Sequence, residues 1–206
     1  MVNISKNILN ELNSLDDLYF QPRSLDFNIW DKFLNDIDYA PYLYTNSSIK
    51  YQEEYRCSNL NWYLDLSSII QYRGNSIGLI PLGICKINEN YKIFSQTNFN
   101  GLNEPPPLNK PLFNKIYSDK IIKKVSQEIY KILKNISRII YIKEWKISDF
   151  FDGSNKISSW HLLSMEMGAE VSLIHELYVN LNLSLCEIKS RFRKSYKSLI
   201  NEDKLK

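Results

Sequence analysis

Residues 62–85 read WYLDLSSIIQYRGNSIGLIPLGIC, and their reading decides the fold. Trp62 to Tyr72 alternates loosely between apolar and polar side chains, the period of a strand with one buried face. Arg73-Gly74-Asn75-Ser76 then supplies the residue types that turn a chain back on itself. Ile77 to Cys85 resumes as an apolar run, and Asn88-Glu89-Asn90 breaks it again. Tyr91 to Thr97 reads as a third strand, so three short strands joined by tight turns are expected to form an antiparallel meander. Pro81 lies inside the middle run. It has no backbone N–H to donate, so a bulge or a discontinuity in the sheet is expected there.

Helical spacing surrounds this meander. Upstream, Ser5 to Leu18 places Ile8, Leu9, Leu12 and Leu15 on one face. Ser24 is the expected cap of a second helix with the stripe Phe27, Trp30, Phe33, Leu34 and Ile37, ended by Pro41. Ser47 or Ser48 is expected to cap a short third helix that reaches Tyr55. Downstream, Asn98 to Asn114 is a long loop with four prolines and one glycine. Ser118 opens the longest helix, with Ile121, Ile122, Val125, Ile129, Ile132, Leu133 and Ile136 as its apolar stripe. Ile139 to Trp145 reads as a strand, Ser158 or Ser159 to Gly168 as a helix with a left-handed glycine cap, and Glu170 to Asn180 as a strand. Ser184-Leu185-Cys186-Glu187 is a capping box that starts a terminal helix.

Composition bounds the classes. A chain of 206 residues, 44% of them hydrophobic, can close a real core as one large domain or two small ones. Aromatics at 13% exclude a disordered chain. The chain holds 22 Asn and two Ala, a bias that an AT-rich coding sequence produces whatever the protein does, so the net charge of +3 is not read as a nucleic-acid signal. That charge is uneven: residues 1–114 are acidic, with 9 Lys/Arg against 12 Asp/Glu, and residues 115–146 are basic, with 9 against 3. No run approaches the ~20 apolar residues of a membrane span. Glu11, Asp16 and Asp17 occupy the place of an export signal's apolar segment, and Cys57, Cys85 and Cys186 are odd in number. Reduced thiols in a cytoplasmic protein are therefore expected.

Motifs for common chemistry are missing from the sequence. There is no phosphate-loop or dinucleotide fingerprint, and no nucleophile elbow. His161 and His175, with three scattered cysteines, suggest no metal site. Asp65 and Glu144 lie on expected strands and are candidate carboxylate bases. His175 alternates with apolar residues, and Trp62, Trp145 and Trp160 have core spacing.

The order helix, helix, three meander strands, long helix, strand, helix, strand resembles that of a GNAT (acyltransferase) domain. Ser76-Ile77-Gly78-Leu79-Ile80-Pro81-Leu82 resembles the meander segment of FemAB-like proteins that ends in Pro-Leu. Tyr178-Val179-Asn180-Leu181-Asn182, followed by the capped helix carrying Arg191-Phe192-Arg193-Lys194-Ser195-Tyr196, resembles the join between the two halves of those proteins. The resemblance implies an α/β (α+β) fold: a GNAT-like domain over 1–183 with a mixed, mostly antiparallel central sheet and helices on both faces. Residues 184–206 would then form a basic helix leading into a second half. It also implies the N-terminal, acceptor-binding or scaffold half of a transferase that moves an acyl or aminoacyl group to an amine on a cell-envelope precursor.

Acyl-coenzyme A or aminoacyl-tRNA would be the donor of the full architecture, and the tRNA the only nucleic-acid partner. Other partners would be a small-molecule or lipid-linked amine, and a second half or a second copy of the chain. The substrate-binding candidates are Phe94, Phe99 and Gly101 around the long loop, and Arg191, Arg193, Lys194 and Lys197 facing an anionic donor. A short glycine-rich loop holds pyrophosphate in active GNAT domains, whereas the loop here is rich in proline. No cofactor is therefore expected in this chain. The alternative is a non-enzymatic binding or assembly module, with Leu185, Ile188, Phe192 and Leu199 as its apolar face.

Overall fold

The computed structural model describes residues 2–37, 40–55, 57, 60, 62–95, 107–114, 116–143, 145–148, 157–170 and 182–191. They belong to two compact units, 1–169 and 170–206. The described residues are α+β with antiparallel sheets. In the first unit the order is α1 (Val2–Leu12), β1 (Leu18–Pro22), α2 (Phe27–Asn35), α3 (Asn46–Tyr55), β2 (Tyr63–Asp65), β3 (Ser68–Tyr72), β4 (Asn75–Ile80), β5 (Gly83–Ile87), β6 (Asn90–Phe94), β7 (Leu108–Asn109), β8 (Leu112–Phe113), α4 (Asp119–Ile139), β9 (Ile147–Ser148) and α5 (Ser159–Glu166). In the second unit the described helix is α6 (Leu185–Arg191).

The meander is present, and its first two strands form one long hairpin. β3 pairs with β4 antiparallel with Ser68 opposite Ile80, and β2 pairs with β5 with Asp65 opposite Gly83. Two residues separate these pairs on either strand, so the register is the same on both sides of the Pro81 break. The Leu66 N–H donates to the Leu82 carbonyl at 2.9 Å and carries the ladder across. Both hairpin turns are two-residue loops with positive φ at both centres: Arg73 (51°) and Gly74 (78°), then Asn88 (47°) and Glu89 (66°). That geometry matches the right-handed twist of the flanking strands.

What changes at Pro81 is the neighbour. On one side β4 pairs with β8, and on the other β5 pairs with β6. The single central sheet expected from the sequence is therefore divided into β1-β3-β4-β8 and β2-β5-β6, with a separate parallel pair β7-β9. The sheet discontinuity expected at a proline is found, and it splits both long expected strands.

Helices cover both faces of the first sheet. Ile70 and Ile77 pack with Ile8 of α1, Val125, Ile129 and Ile136 of α4, and Trp160 of α5. Ile69 and Leu79 point the other way, into Trp30 and Leu34 of α2 and Ile49 of α3. Burying each such aliphatic side chain contributes about 1.5–3 kcal/mol. The Trp30 indole donates to the Tyr44 carbonyl at 2.8 Å, and the Tyr44 hydroxyl donates to the Lys110 carbonyl at 2.7 Å, fixing the segment between β7 and β8 to this second core.

Several local expectations are corrected. The first helix ends at Leu12, and Leu18 begins a strand in which Leu18 and Phe20 are buried and Tyr19 is exposed. Asp26, not Ser24, caps α2 by accepting from the amides of Asn28 and Ile29. Thr45, not Ser47 or Ser48, accepts at the start of α3, from the Ser48 amide. Ser118 stands at the N-cap of α4 but makes no side-chain cap bond. The long loop contains β7 and β8.

The strand expected over Ile139 to Trp145 is instead the end of α4, whose helical spacing continues through the buried Ile136 and Ile140. Two hydrogen bonds close that end: Ile142 N–H to the Ser137 carbonyl (2.8 Å) and Tyr141 N–H to Arg138 (3.4 Å). This is a Schellman cap, and Tyr141 occupies its left-handed position with φ 57°. α5 ends in the same motif, with Gly168 at φ 92° as expected. Tyrosine pays a Cβ penalty there that glycine does not. Tyr141→Gly is expected to raise the unfolding free energy by about 1 kcal/mol, read from urea transitions.

Candidate functional site

The Pro81 break brings together residues from three elements. Arg23 follows β1 in a short 3-10 turn (Arg23–Leu25), and its side chain is 2% exposed. Its Nη2 lies 2.9 Å from Glu53 Oε1 on α3 and 3.0 Å from Asp65 Oδ2 on β2. Its Nη1 donates to Asn46 Oδ1 at 3.1 Å, and its guanidinium sits 5.1 Å from the Phe27 ring centroid. The Tyr63 hydroxyl reaches Glu53 Oε1 at 3.4 Å, and the Ser67 amide donates to Asp65 Oδ1 at 2.7 Å. Arg23 Nε is buried and has no hydrogen-bond partner.

Glu53 and Asp65 meet the same guanidinium nitrogen of Arg23. Burial is the largest influence on Glu53 and raises its pKa. Arg23 opposes that rise, the neighbouring Asp65 adds to it, and the net shift is upward from 4.5. Glu53 is thus the group with enhanced proton affinity, and its carboxylate is the more exposed of the two. The arrangement can hold a cationic group or accept a proton from one.

Behind the carboxylates lies a small apolar cluster of Cys57, Cys85 and Phe94, with Tyr63 beside it. Burial pushes both thiols up to about 12, and in Cys57 the charges of Glu53 and Asp65 add to the effect. Neither is a nucleophile at neutral pH, since the thiolate is the reactive form. With native protein at pH 7.5, iodoacetamide should modify the exposed Cys186 and leave Cys57 and Cys85 intact, as peptide mapping would show.

Of the expected substrate-binding residues, Phe94 and Arg191 are among the described residues. Phe94 is buried in that cluster, while Tyr91 packs edge-on against Trp62 at 5.3 Å. Arg191 is exposed on α6. Phe99, Gly101, Arg193, Lys194 and Lys197 lie outside the described residues, as do Glu144, His175 and the strand expected over 170–180. Among the described residues, Asp65 is the candidate base, and the fold brings it to Arg23. Arg23 and Glu53 carried no sequence signal: they stand 30 residues apart, and Arg23 stands 42 from Asp65, on elements whose contact is purely tertiary. Trp160 is core, and Trp62 and Trp145 pack against it.

Cofactor chemistry is poorly served by the described part of the loop before α4. Pro107 and Pro111 have no N–H, the Leu108 amide is engaged by Lys146 and the Asn114 amide by Ile77. These residues do not fit a pyrophosphate nest. Among the described residues, no group of three His, Cys, Asp or Glu could hold a metal ion, and no helix is long and apolar enough to cross a membrane. The capping box holds: Ser184 Oγ accepts from the Glu187 amide, and Glu187 reaches back to the Ser184 amide at 2.9 Å. No protein-family model, curated protein or solved structure matches this chain.

Proposed function

We propose that this chain is the acceptor-binding half of a FemAB-like, GNAT-type acyl- or aminoacyltransferase, acting on an amine of a cell-envelope precursor. The observation that carries the reading is the pair of carboxylates, Glu53 and Asp65, gathered on Arg23 where the central hairpin changes neighbours, with the proton affinity of Glu53 raised. An alkyl amine is protonated at neutral pH, with an ordinary pKa of about 10.4, and must lose a proton before it attacks an acyl carbon. The paired carboxylates attract the ammonium form. Glu53, whose proton affinity is raised, takes the proton as the new N–C bond forms and the donor's leaving group departs. Asp65 is held by the Ser67 amide and orients Arg23, and Tyr63 donates to Glu53. The antiparallel hairpin and the helices on both faces of the first sheet are compatible with the GNAT-type reading. The donor would be an acyl-coenzyme A or aminoacyl-tRNA held outside the residues described.

Calorimetry with a muropeptide that bears one free amine tests this. Saturable binding should vanish when the amine is acetylated, and Glu53→Gln should weaken it at least ten-fold, about the value of one charge-assisted hydrogen bond. Equal binding of the free and acetylated peptides, or none of either, would reject the reading. A second reading, an assembly module, is favoured by α6, where Leu185 is 75% exposed and no residue is buried. Light scattering that shows a concentration-dependent dimer, lost in Leu185→Glu, would support it.

A further inference from the structure

The basic excess of the chain is arranged on one side of α4. At 100° per residue, Lys120, Lys123, Lys124, Lys131, Lys134 and Arg138 fall within an arc of about 100° and run for about 27 Å along the helix. All six are exposed. Like charges three and four residues apart oppose the helix by a few tenths of a kcal/mol per pair, so the stripe is not a device for stability. Among the described residues its acidic neighbours are few. Glu128 accepts from Lys131 at 2.9 Å, Glu166 of α5 from Lys123 at 3.4 Å, and Glu11 of α1 binds Asn135, not a lysine. Asp119 stands at the helix start. At the same side Lys124 lies 5.7 Å from the Tyr72 ring centroid, which Arg73 also covers at 5.2 Å while pairing with Asp17 at 3.2 Å.

Exposed apolar groups mark both ends of the stripe. Ile116 precedes the helix and is 84% exposed. Tyr141 follows its other end and is 89% exposed in a left-handed conformation that costs free energy. Lys143 follows two residues on and is also exposed. A phosphate backbone alone gives no use for exposed isoleucines. A bilayer interface uses both parts: anionic headgroups for the lysines, and the boundary of the acyl chains for Tyr and Ile.

We infer that the outer face of α4, from Lys120 to Lys143, docks this protein on an anionic lipid surface. The apolar face of α4 is already buried in the core, so the helix does not insert by that face; it lies on the surface by its charges, with Tyr141 as a shallow anchor. This inference does not depend on the acceptor reading.

Co-sedimentation of the full chain with phosphatidylcholine vesicles, with and without 30% phosphatidylglycerol, tests it. The chain should bind the anionic vesicles only, and release them as salt rises from 50 to 500 mM. Lys134→Gln with Arg138→Gln should lower the partition coefficient about five-fold for each charge removed. Tyr141→Gly should lower it too while raising the unfolding midpoint, which separates docking from folding. No binding to anionic vesicles would overturn the inference, as would unchanged binding of these variants. Preferential binding of poly(U) RNA over the vesicles would overturn it as well, and assign the stripe to nucleic acid.

Discussion

Arg23→Met should unfold with a loss of about 3 kcal/mol at pH 7, the scale for removing one partner of a buried ion pair. The deletion leaves Glu53 and Asp65 facing each other without the cation that both now contact through one nitrogen. Asn46 loses its donor as well. The size of the loss should depend on pH, in a direction that the charges dictate. In the variant, one carboxyl of the pair binds its proton more tightly in the folded chain than in the unfolded one, where its pKa is near 4.5. A group whose folded pKa is raised stabilises fully below the unfolded value, and that contribution is lost as pH rises through the folded value. Urea titrations at pH 5 and pH 8 should therefore show a smaller deficit at pH 5. Adding Glu53→Gln should recover part of the loss at pH 8. A deficit that is equal at both pH values would mean that the guanidinium acts by packing alone, through Phe27.

Gly78→Ala is the second large effect. A Cβ at this position would lie 2.5 Å from the Leu112 carbonyl oxygen and 2.7 Å from the Phe113 ring. The ring can rotate, but the carbonyl is backbone and belongs to the β4–β8 pairing of Leu79 with Leu112. β8 must move away, and Leu112 leaves the core it shares with Trp30 and Leu79. Overpacking of this kind costs about 1–3 kcal/mol, and we expect the upper part of that range. Hydrogen exchange locates the damage: the Asn114 amide, which donates to Ile77 at 3.0 Å, should lose protection while the β2–β5 amides keep theirs. Gly74→Ala is the control. There is open space around Gly74, but its φ of 78° makes alanine strained, so its smaller cost of about 1 kcal/mol reports conformation without collision.

Legibility in the sequence followed the range of the interaction. The hairpin, the proline break, the Gly168 cap and the Ser184 capping box are set by neighbours within a few residues, and each was readable. β1 was not, because Leu18 continues the helical spacing of Leu12 and Leu15, and only pairing with β3 makes it a strand. The end of α4 was misread because Ile139, Ile140 and Ile142 are β-branched, while burial of Ile136 and Ile140 extends the helix. β7 and β8 have two residues each and no period to detect. Asp65 was legible as a carboxylate on a strand. Its cation and its partner carboxylate were not, since no spacing rule links a turn, a helix and a strand that meet only in the folded chain.

The shared register of the central hairpin ties distant parts of the molecule to one small turn. Arg73 and Gly74 close both the β3–β4 and the β2–β5 ladders, and Asp65 stands eight residues away, about 26 Å along an extended strand. Shortening that turn by one residue would slip the β2–β3 arm against the β4–β5 arm and invert its faces, unless the register shift already present between Ile70 and Gln71 absorbed the slip. Asp65 would then turn away from Arg23, Ile69 and Ile70 would exchange cores, and the site would be lost without any change to its own residues. The turn at 73–74 acts as the origin of a ruler against which the carboxylates are positioned, so drift in loop length there is a change to the site at a distance.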